Sequence, residues 1–337
     1  MRASRLVFLF TCWFASMACA AAQTPKQALL VLSKTDHTLA IVNPATLQVV
    51  ARVPVGPDPH EVIASADGQM AYVSNYGFGK YHTLARIDLI DHRQLSYVDL
   101  GPLTGPHGLE FKHGEVWFTA EGAKVIGRYD PATGKVDWVM GTGQNRTHML
   151  HVFPDMQRIV TTNVASGTVT ILDHTTGPHG PMPTPPGGNW NETVVKVGNG
   201  SEGFDVSPDG KEMWVANAED GTISVIDLTA KKVVATLDAD VPSANRLKFT
   251  LDGKLALVSQ LRGPDLVILD AATRTVMKRM PIGHGAAGVL MDPDGKRAYV
   301  SCGPDNDVAV IDLKTLTVVA HVDAGGNPDG LAWAVQR

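Results

Sequence analysis

SPDGKEMWVANAEDGTISVID, Ser207 to Asp227, is the phrase from which most of this 337-residue chain is built. Asp209-Gly210 is a tight-turn pair leading into the apolar run Met213-Trp214-Val215. A second polar turn, Glu219-Asp220-Gly221, leads into the β-branched run Ile223 to Ile226. Two strands joined by a short turn are the natural reading. The phrase returns as SADGQMAYVSN (Ser65 to Asn75), LDGKLALVSQ (Leu251 to Gln260) and DPDGKRAYVSCGPDNDVAVID (Asp292 to Asp312). A repeat at a fixed period sets the architecture before any single residue does.

An apolar residue followed by Asp or Asn closes one strand of every unit: Val42-Asn43, Ile87-Asp88, Tyr129-Asp130, Leu172-Asp173, Ile226-Asp227, Leu269-Asp270 and Ile311-Asp312. The successive gaps are 45, 42, 43, 54, 43 and 42 residues, so the chain holds seven units. Each unit reads as four short strands in about 42 residues, which is one propeller blade. The expectation is an all-β, seven-bladed β-propeller of four-stranded antiparallel blades over residues 28–337. Ala28 to Leu32 and Leu39 to Val42 lack a preceding first strand, and Asn327-Pro328-Asp329-Gly330-Leu331 resembles the missing one. Pairing the two ends in one blade closes the ring and leaves no free sheet edge there. The gap of 54 contains HTTGPHGPMPTPPGGNWN, residues 174–191, which reads as a Pro/Gly-rich loop inserted before the last strand of the fourth unit. A smaller excursion, Tyr76 to Tyr81, sits in the second.

Arg2 and Arg5, the apolar stretch Leu6 to Met17 and the small-residue triplet Ala18-Cys19-Ala20 read as a signal peptide, residues 1–20, cut after Ala20 or Ala22. A periplasmic or secreted protein is therefore expected. Ser16 and Met17 suit a lipid-modified Cys19 poorly, and no other apolar run reaches the roughly 20 residues of a membrane span. Without the signal, Cys302 is the last cysteine, so no internal disulfide can form. The mature chain has 27 basic and 34 acidic side chains and no basic run. That makes nucleic acid and anionic membrane surfaces poor partner candidates, and no nucleic-acid partner is expected. A monomer is expected, with a small-molecule ligand or a cell-envelope protein as partner.

AYVSN, WVANAEDGTISVID and AYVSCGPDNDVAVID resemble the YVTN repeat family of bacterial β-propellers over nearly the whole mature chain. The resemblance implies the fold and says little about function, because propellers carry many unrelated sites.

Aligned on their turns, the units bring one position at the start of each first strand into a column: His60, His107, His148, Glu202, Arg246, Ala287 and Asp329. In a closed propeller this column becomes a ring near one mouth of the central channel. Six of the seven side chains can ionise or ligate a metal, a set that apolar packing does not select. Solvated polar residues lining a wet channel are the bland alternative. Two chemistries suit the ring. In one, His60, His107, His148 and Glu202 bind a divalent ion, Zn or Cu, through imidazole nitrogens and carboxylate oxygens. In the other, the histidines act as general acid and base on an ester or lactone, with Arg246 and Asp329 binding substrate. Gly105-Pro106-His107-Gly108-Leu109, Val116-Trp117-Phe118-Thr119-Ala120-Glu121 and Lys124-Val125-Ile126-Gly127-Arg128 look like a blade of virginiamycin B lyase. That resemblance implies His60 and His107 as catalytic histidines and Glu121 as an assisting glutamate that helps hold Mg²⁺. The family's second acidic magnesium ligand falls where Gly105 stands, which puts that metal in question. A third reading is a non-catalytic platform that holds a partner on its loops.

Gly283-His284-Gly285-Ala286-Ala287-Gly288 matches GxGxxG, but a strand follows where a phosphate-binding helix is required, so it reads as a blade junction. Cys302 occupies the slot of Asn75 and Asn217 and reads as a packed thiol. His151, three past His148, is left outside the site. His37, His82, His92, His113, His174, His179, His284 and His321 fall mainly in turns. There is no CxxCH, which excludes covalent c-type haem.

Overall fold

The computed structural model describes residues 23–177 and 188–337; the signal-like stretch and His179 lie outside them. Seven antiparallel sheets follow one another around the chain. Blade 1 combines Gln27–Ser33, Thr38–Asn43 and Gln48–Pro54 with the inner strand Pro328–Val335. The pairing of that inner strand with Gln27–Ser33 runs from Gln27 opposite Val335 to Ser33 opposite Pro328, which closes the ring as expected. The other inner strands are Pro59–Ala64, Pro106–Lys112, Thr147–Val152, Ser201–Val206, Ala244–Phe249 and Ala286–Met291, in blades 2 to 7. Among the described residues no helix is long and apolar enough to cross a membrane.

The second and third strands of the blades are buried on both faces, so they read as largely continuous apolar runs, whereas outer strands such as Lys232–Asp238 alternate exposed and half-buried residues. In blade 1, Leu30 and Leu32 point into a core shared with blade 2, whereas Leu29 and Val31 point into a core shared with blade 7. Every other pair of neighbouring blades shares one such apolar cluster. Each blade thus buries its surface against two neighbours, and among the described residues the ring stands by apolar packing, with Cys302 a free thiol.

The acid that closes each third strand earns its place by turn chemistry. Asp88, Asp130, Asp227, Asp270 and Asp312, with Asn43, accept backbone N–H bonds from residues two or three further on. A short side-chain acceptor there replaces a backbone partner and fixes the turn. Asp173 is different: it pairs with Arg158 and Lys231, because the strand runs on past it. Pairing continues to Thr175 opposite Asn189, so His174, Thr175 and residues 189–191 belong to a lengthened hairpin. The inserted loop is shorter than the expected 174–191; its centre, residues 178–187, lies outside the described residues. Trp190 on this extension packs edge-on against Trp138.

Candidate functional site

One backbone device, used in every blade, places the site. Each inner strand carries an extra residue opposite the second strand; in blade 2 the partners jump from Pro59–Asn75 to Val62–Val73. The same irregularity recurs in the others. Such bulges re-aim side chains, and here two successive residues, His60 and Glu61, both reach the channel region. Two residues ahead of the ring position the chain is left-handed in all seven blades: Asp58, Gly105, Arg146, Gly200, Ser243, Gly285 and Asn327. A hydroxyl on the second strand then ties the bulge to the next blade. Thr119 Oγ1 accepts the Gly108 N–H at 2.9 Å and donates to the His148 carbonyl at 2.5 Å. Thr162, Ser259 and Ser301 donate likewise to Glu202, Ala287 and Asp329.

This register corrects one member of the expected column. Ala244 pairs with Gln260 and Leu247 with Val258, so the ring position of blade 6 is Asn245, and Arg246 lies one residue deeper, level with Glu61. The ring is therefore His60, His107, His148, Glu202, Asn245, Ala287 and Asp329, all lining a cavity of about 630 Å³ at the channel mouth. The next layer is Glu61, Gly108, Met149, Gly203, Arg246, Gly288 and Gly330. A Cβ on Gly108 or Gly288 would meet the neighbouring blade's carbonyl oxygen at 2.6 or 2.4 Å, so the glycines let inner strands approach closely. They also leave room for Arg246 to reach Glu61 from three blades away and bridge the channel. Arg246 is thus committed to a buried ion pair beneath the ring, with burial opposed by Glu61, Asp329 and Glu202, which raise its pKa.

The histidines form a stack. The His107 ring lies 3.8 Å from that of His148 and 4.7 Å from that of His60, centroid to centroid, with Tyr76 edge-on to both His60 and His107. Their surroundings differ. Glu121 Oε1 is hydrogen-bonded to His148 Nδ1 at 2.5 Å, and Glu202 Oε2 lies 2.7 Å from its Nε2. Burial works against charge on His148, yet the two carboxylates raise its pKa to about 9, so it is an imidazolium at neutral pH. Burial likewise opposes ionisation of Glu202, but His148, Arg246 and Arg146 bring it down to about 2. His107 has no carboxylate. Burial first, then the charges of His148 and His60, hold it well below the ordinary histidine value, and its Nδ1 has no hydrogen-bond partner among the described residues. His60 sits between Asp329, 2.8 Å from its Nδ1, and Lys34, whose Nζ lies 2.8 Å from its Nε2. Behind the ring, Glu121 also accepts from the Tyr76 hydroxyl and from Arg146 Nε, the latter at 3.3 Å.

Of the four expected metal ligands, His107 and His148 come together, but with Glu121: ligand atoms of these three lie within 4.8 Å of one another. His60 and Glu202 fall outside that group. His60 is held by Lys34 and Asp329, and Glu202 is an ion-pair partner of His148. The slot of the second magnesium ligand is closed, since a side chain on Gly105 would meet Gly79 Cα at 2.7 Å. His151 is paired with Glu110 and lies outside the cavity lining. Cys302 is a fully buried thiol whose pKa is pushed up to about 12 by burial.

The column omitted Lys34, Tyr76, Arg146, Asn245 and Glu61. Lys34, Tyr76 and Glu121 share a signal: each is the first residue after a second strand. Aligning that slot, as well as the ring slot, brings out two of the omitted residues.

No family model matches the chain. It is 26% identical over 144 residues to "Uncharacterized protein YncE" of Salmonella typhimurium, covering 42% of this chain and 40% of that one. It is 29% identical over 143 residues to "Seven-bladed beta-propeller protein Rv1057" of Mycobacterium tuberculosis, covering 40% and 36%. The chain thus matches less than half the length of these curated relatives. A putative 6-phosphogluconolactonase from Bacteroides uniformis superposes with a TM-score of 0.70 at 16% identity, covering 91% of this chain and 99% of that one. At that identity the likeness is one of fold. All three agree with a bacterial β-propeller.

Proposed function

We propose that the mouth cavity is a small-molecule site in which His107 and His60 carry out acid–base chemistry on an ester or lactone. One observation supports it above the rest: His107 lines the cavity as a neutral imidazole with an unpartnered nitrogen, stacked against a fixed imidazolium. A neutral imidazole presents a lone pair that can act as a general base, and its depressed proton affinity means that the proton is passed on rather than kept. His148, its charge already satisfied by two carboxylates, serves to orient and to keep His107 neutral. Asp329 orients His60, as a carboxylate does for a catalytic histidine. Glu121 acts through His148 and is a positioning residue rather than one that meets substrate.

The test is turnover of aryl esters and of sugar-acid lactones, including 6-phosphogluconolactone, by purified wild type and by His107→Gln. A fall of about 10²–10⁴-fold in kcat/KM is expected in the variant. No turnover of any panel member, or equal turnover by both proteins, overturns the reading. Export belongs to the same proposal and rests on Arg2, Arg5, Leu6 to Met17 and Ala18-Cys19-Ala20. N-terminal sequencing of protein from the periplasmic or extracellular fraction, beginning at Ala21 or Gln23, supports it; an intact Met1 there overturns it.

A second reading, a divalent transition metal, is favoured by the close grouping of His107, Glu121 and His148. It requires His148 to give up a proton that two carboxylates hold. Near-stoichiometric zinc or copper by mass spectrometry, lost in His107→Ala, supports it; metal-free protein that gains no stability when metals are added overturns it.

A further inference from the structure

Phe78 is 82% exposed, yet it lines the mouth cavity. Its backbone is left-handed, φ +51, between two left-handed glycines, Gly77 at +57 and Gly79 at +84. That conformation is costly for a residue with a β-carbon. The turn is nonetheless clamped: Gly77 N–H donates to Asp58 Oδ2 at 2.9 Å, and Gly79 N–H to the Tyr76 carbonyl at 3.1 Å. Gly79 itself packs where Gly105 and Gly122 have room for no side chain. A strained, fixed turn thus holds an apolar ring out over the cavity, where Leu261, 49% exposed, and Pro304 add apolar surface to the lining.

Arg146 supplies the complementary feature. Three residues that line the cavity carry a lysine or arginine cation, Lys34, Arg146 and Arg246. Lys34 is engaged with His60, Asp58 and Asp329, and Arg246 with Glu61. Arg146 donates only its Nε–H, to Glu121; its Nη2 is 3.9 Å from Glu202, and its side chain is 44% exposed. The Nη groups thus face Glu202 at 3.9 Å and the Tyr76 hydroxyl without a short hydrogen bond of their own among the described residues. Phe78 and Arg146 are linked through Tyr76, whose ring lies 6.1 Å from Phe78 and whose hydroxyl shares Glu121 with Arg146.

We propose that Phe78 and Arg146 are the recognition end of the mouth site, taking a small carboxylate ligand whose planar apolar group lies on Phe78 and whose carboxylate meets the Nη donors of Arg146. An arginine fork suits a carboxylate in bidentate fashion, and an aromatic face suits a planar group. The inference rests on the mouth cavity being a small-molecule site, and it names the ligand class: an aryl-bearing acid.

Calorimetric titration of wild type, Phe78→Ala and Arg146→Gln with 4-phenylbutyrate, butyrate and 4-phenylbutanamide tests it. Wild type should bind phenylbutyrate about tenfold more tightly than butyrate, an order of magnitude set by one aromatic contact. Phe78→Ala should abolish that preference while keeping the wild-type melting temperature, because the ring is exposed. Arg146→Gln should bind phenylbutyrate and the amide alike, and Arg146→Lys should restore part of the difference. Absence of binding by wild type, equal affinity for butyrate and phenylbutyrate, or an undiminished preference in Phe78→Ala overturns the proposal. Binding without ester turnover overturns the acid–base reading alone. Turnover of aryl-bearing ester acids that is indifferent to Phe78→Ala overturns this one alone.

Discussion

Blades 3 and 4 can be set against blades 6 and 7. Both pairs build the ring on the same bulge, the same left-handed residue two positions ahead, and the same hydroxyl tie, Thr119 to the His148 carbonyl in one and Ser259 to the Ala287 carbonyl in the other. On that shared frame, blades 3 and 4 carry His107 and His148, with Tyr76 of blade 2 and Glu121 of blade 3 behind them. Blades 6 and 7 carry Asn245 and Ala287, backed by Leu261 and Gly303. The repeat therefore supplies geometry equally all round, and the candidate chemistry is confined to one arc. Side chains one residue past the second strand mark the division, because they reach the ring from behind.

Removing the central charge of the histidine arc is expected to have the largest effect. His148→Ala takes away the cation that Glu121 and Glu202 share, leaving Glu121 to Tyr76 and Arg146 and Glu202 without its nearest cation, which costs about 3–5 kcal/mol by the rule for broken buried ion pairs; denaturant unfolding measures it. The cost depends on pH. A histidine whose pKa rises from 6.5 to about 9 on folding contributes stability that is complete below 6.5 and lost as pH rises through 9. Glu202, depressed from 4.5 to about 2, contributes above 4.5 and loses its contribution as pH falls through 2. The gap in Tm between wild type and His148→Gln should therefore be widest between pH 4.5 and 6.5 and narrow towards pH 9. A gap that widens with rising pH contradicts an imidazolium at His148.

The shared frame makes the next predictions symmetrical. Gly108→Ala on the histidine arc and Gly288→Ala on the other both place a methyl group against a neighbouring carbonyl. Each should cost about 1–3 kcal/mol, as overpacking does. Thr119→Val and Ser259→Ala each remove a tie and leave a buried carbonyl unpaired, for about 1–3 kcal/mol. Equal losses on the two arcs sharpen the view of one repeated frame, and a loss confined to blades 3 and 4 breaks it. The smallest effect belongs to the ring position without chemistry: Ala287→Ser should shift stability by less than about 0.5 kcal/mol and leave ester turnover at the wild-type rate.

Much of the ring could be read before any coordinates. His60, His107, His148, Glu202, Ala287 and Asp329 stand where the turn-aligned units put them, since identical units around a closed ring bring identical slots to one height. Arg246 could not be placed this way. Asn245 and Arg246 are adjacent polar residues at the start of the same inner strand, and a shift of one is invisible until the bulge register is known. The same one-residue step separates a ring residue from one that bridges the channel to Glu61.

The sequence by itself determined the number of blades, their strand order, the joining of the two ends and the height of the ring, because turn pairs, strand-closing acids and apolar runs are local properties repeated at a period. Tertiary structure alone decided which histidine is charged and which is neutral. His148 lies between Glu121 of blade 3 and Glu202 of blade 5, whereas His107 lies between two imidazoles. Proton affinity in a buried site follows from neighbours a few ångströms away in space, and these stand up to 54 residues apart along the chain.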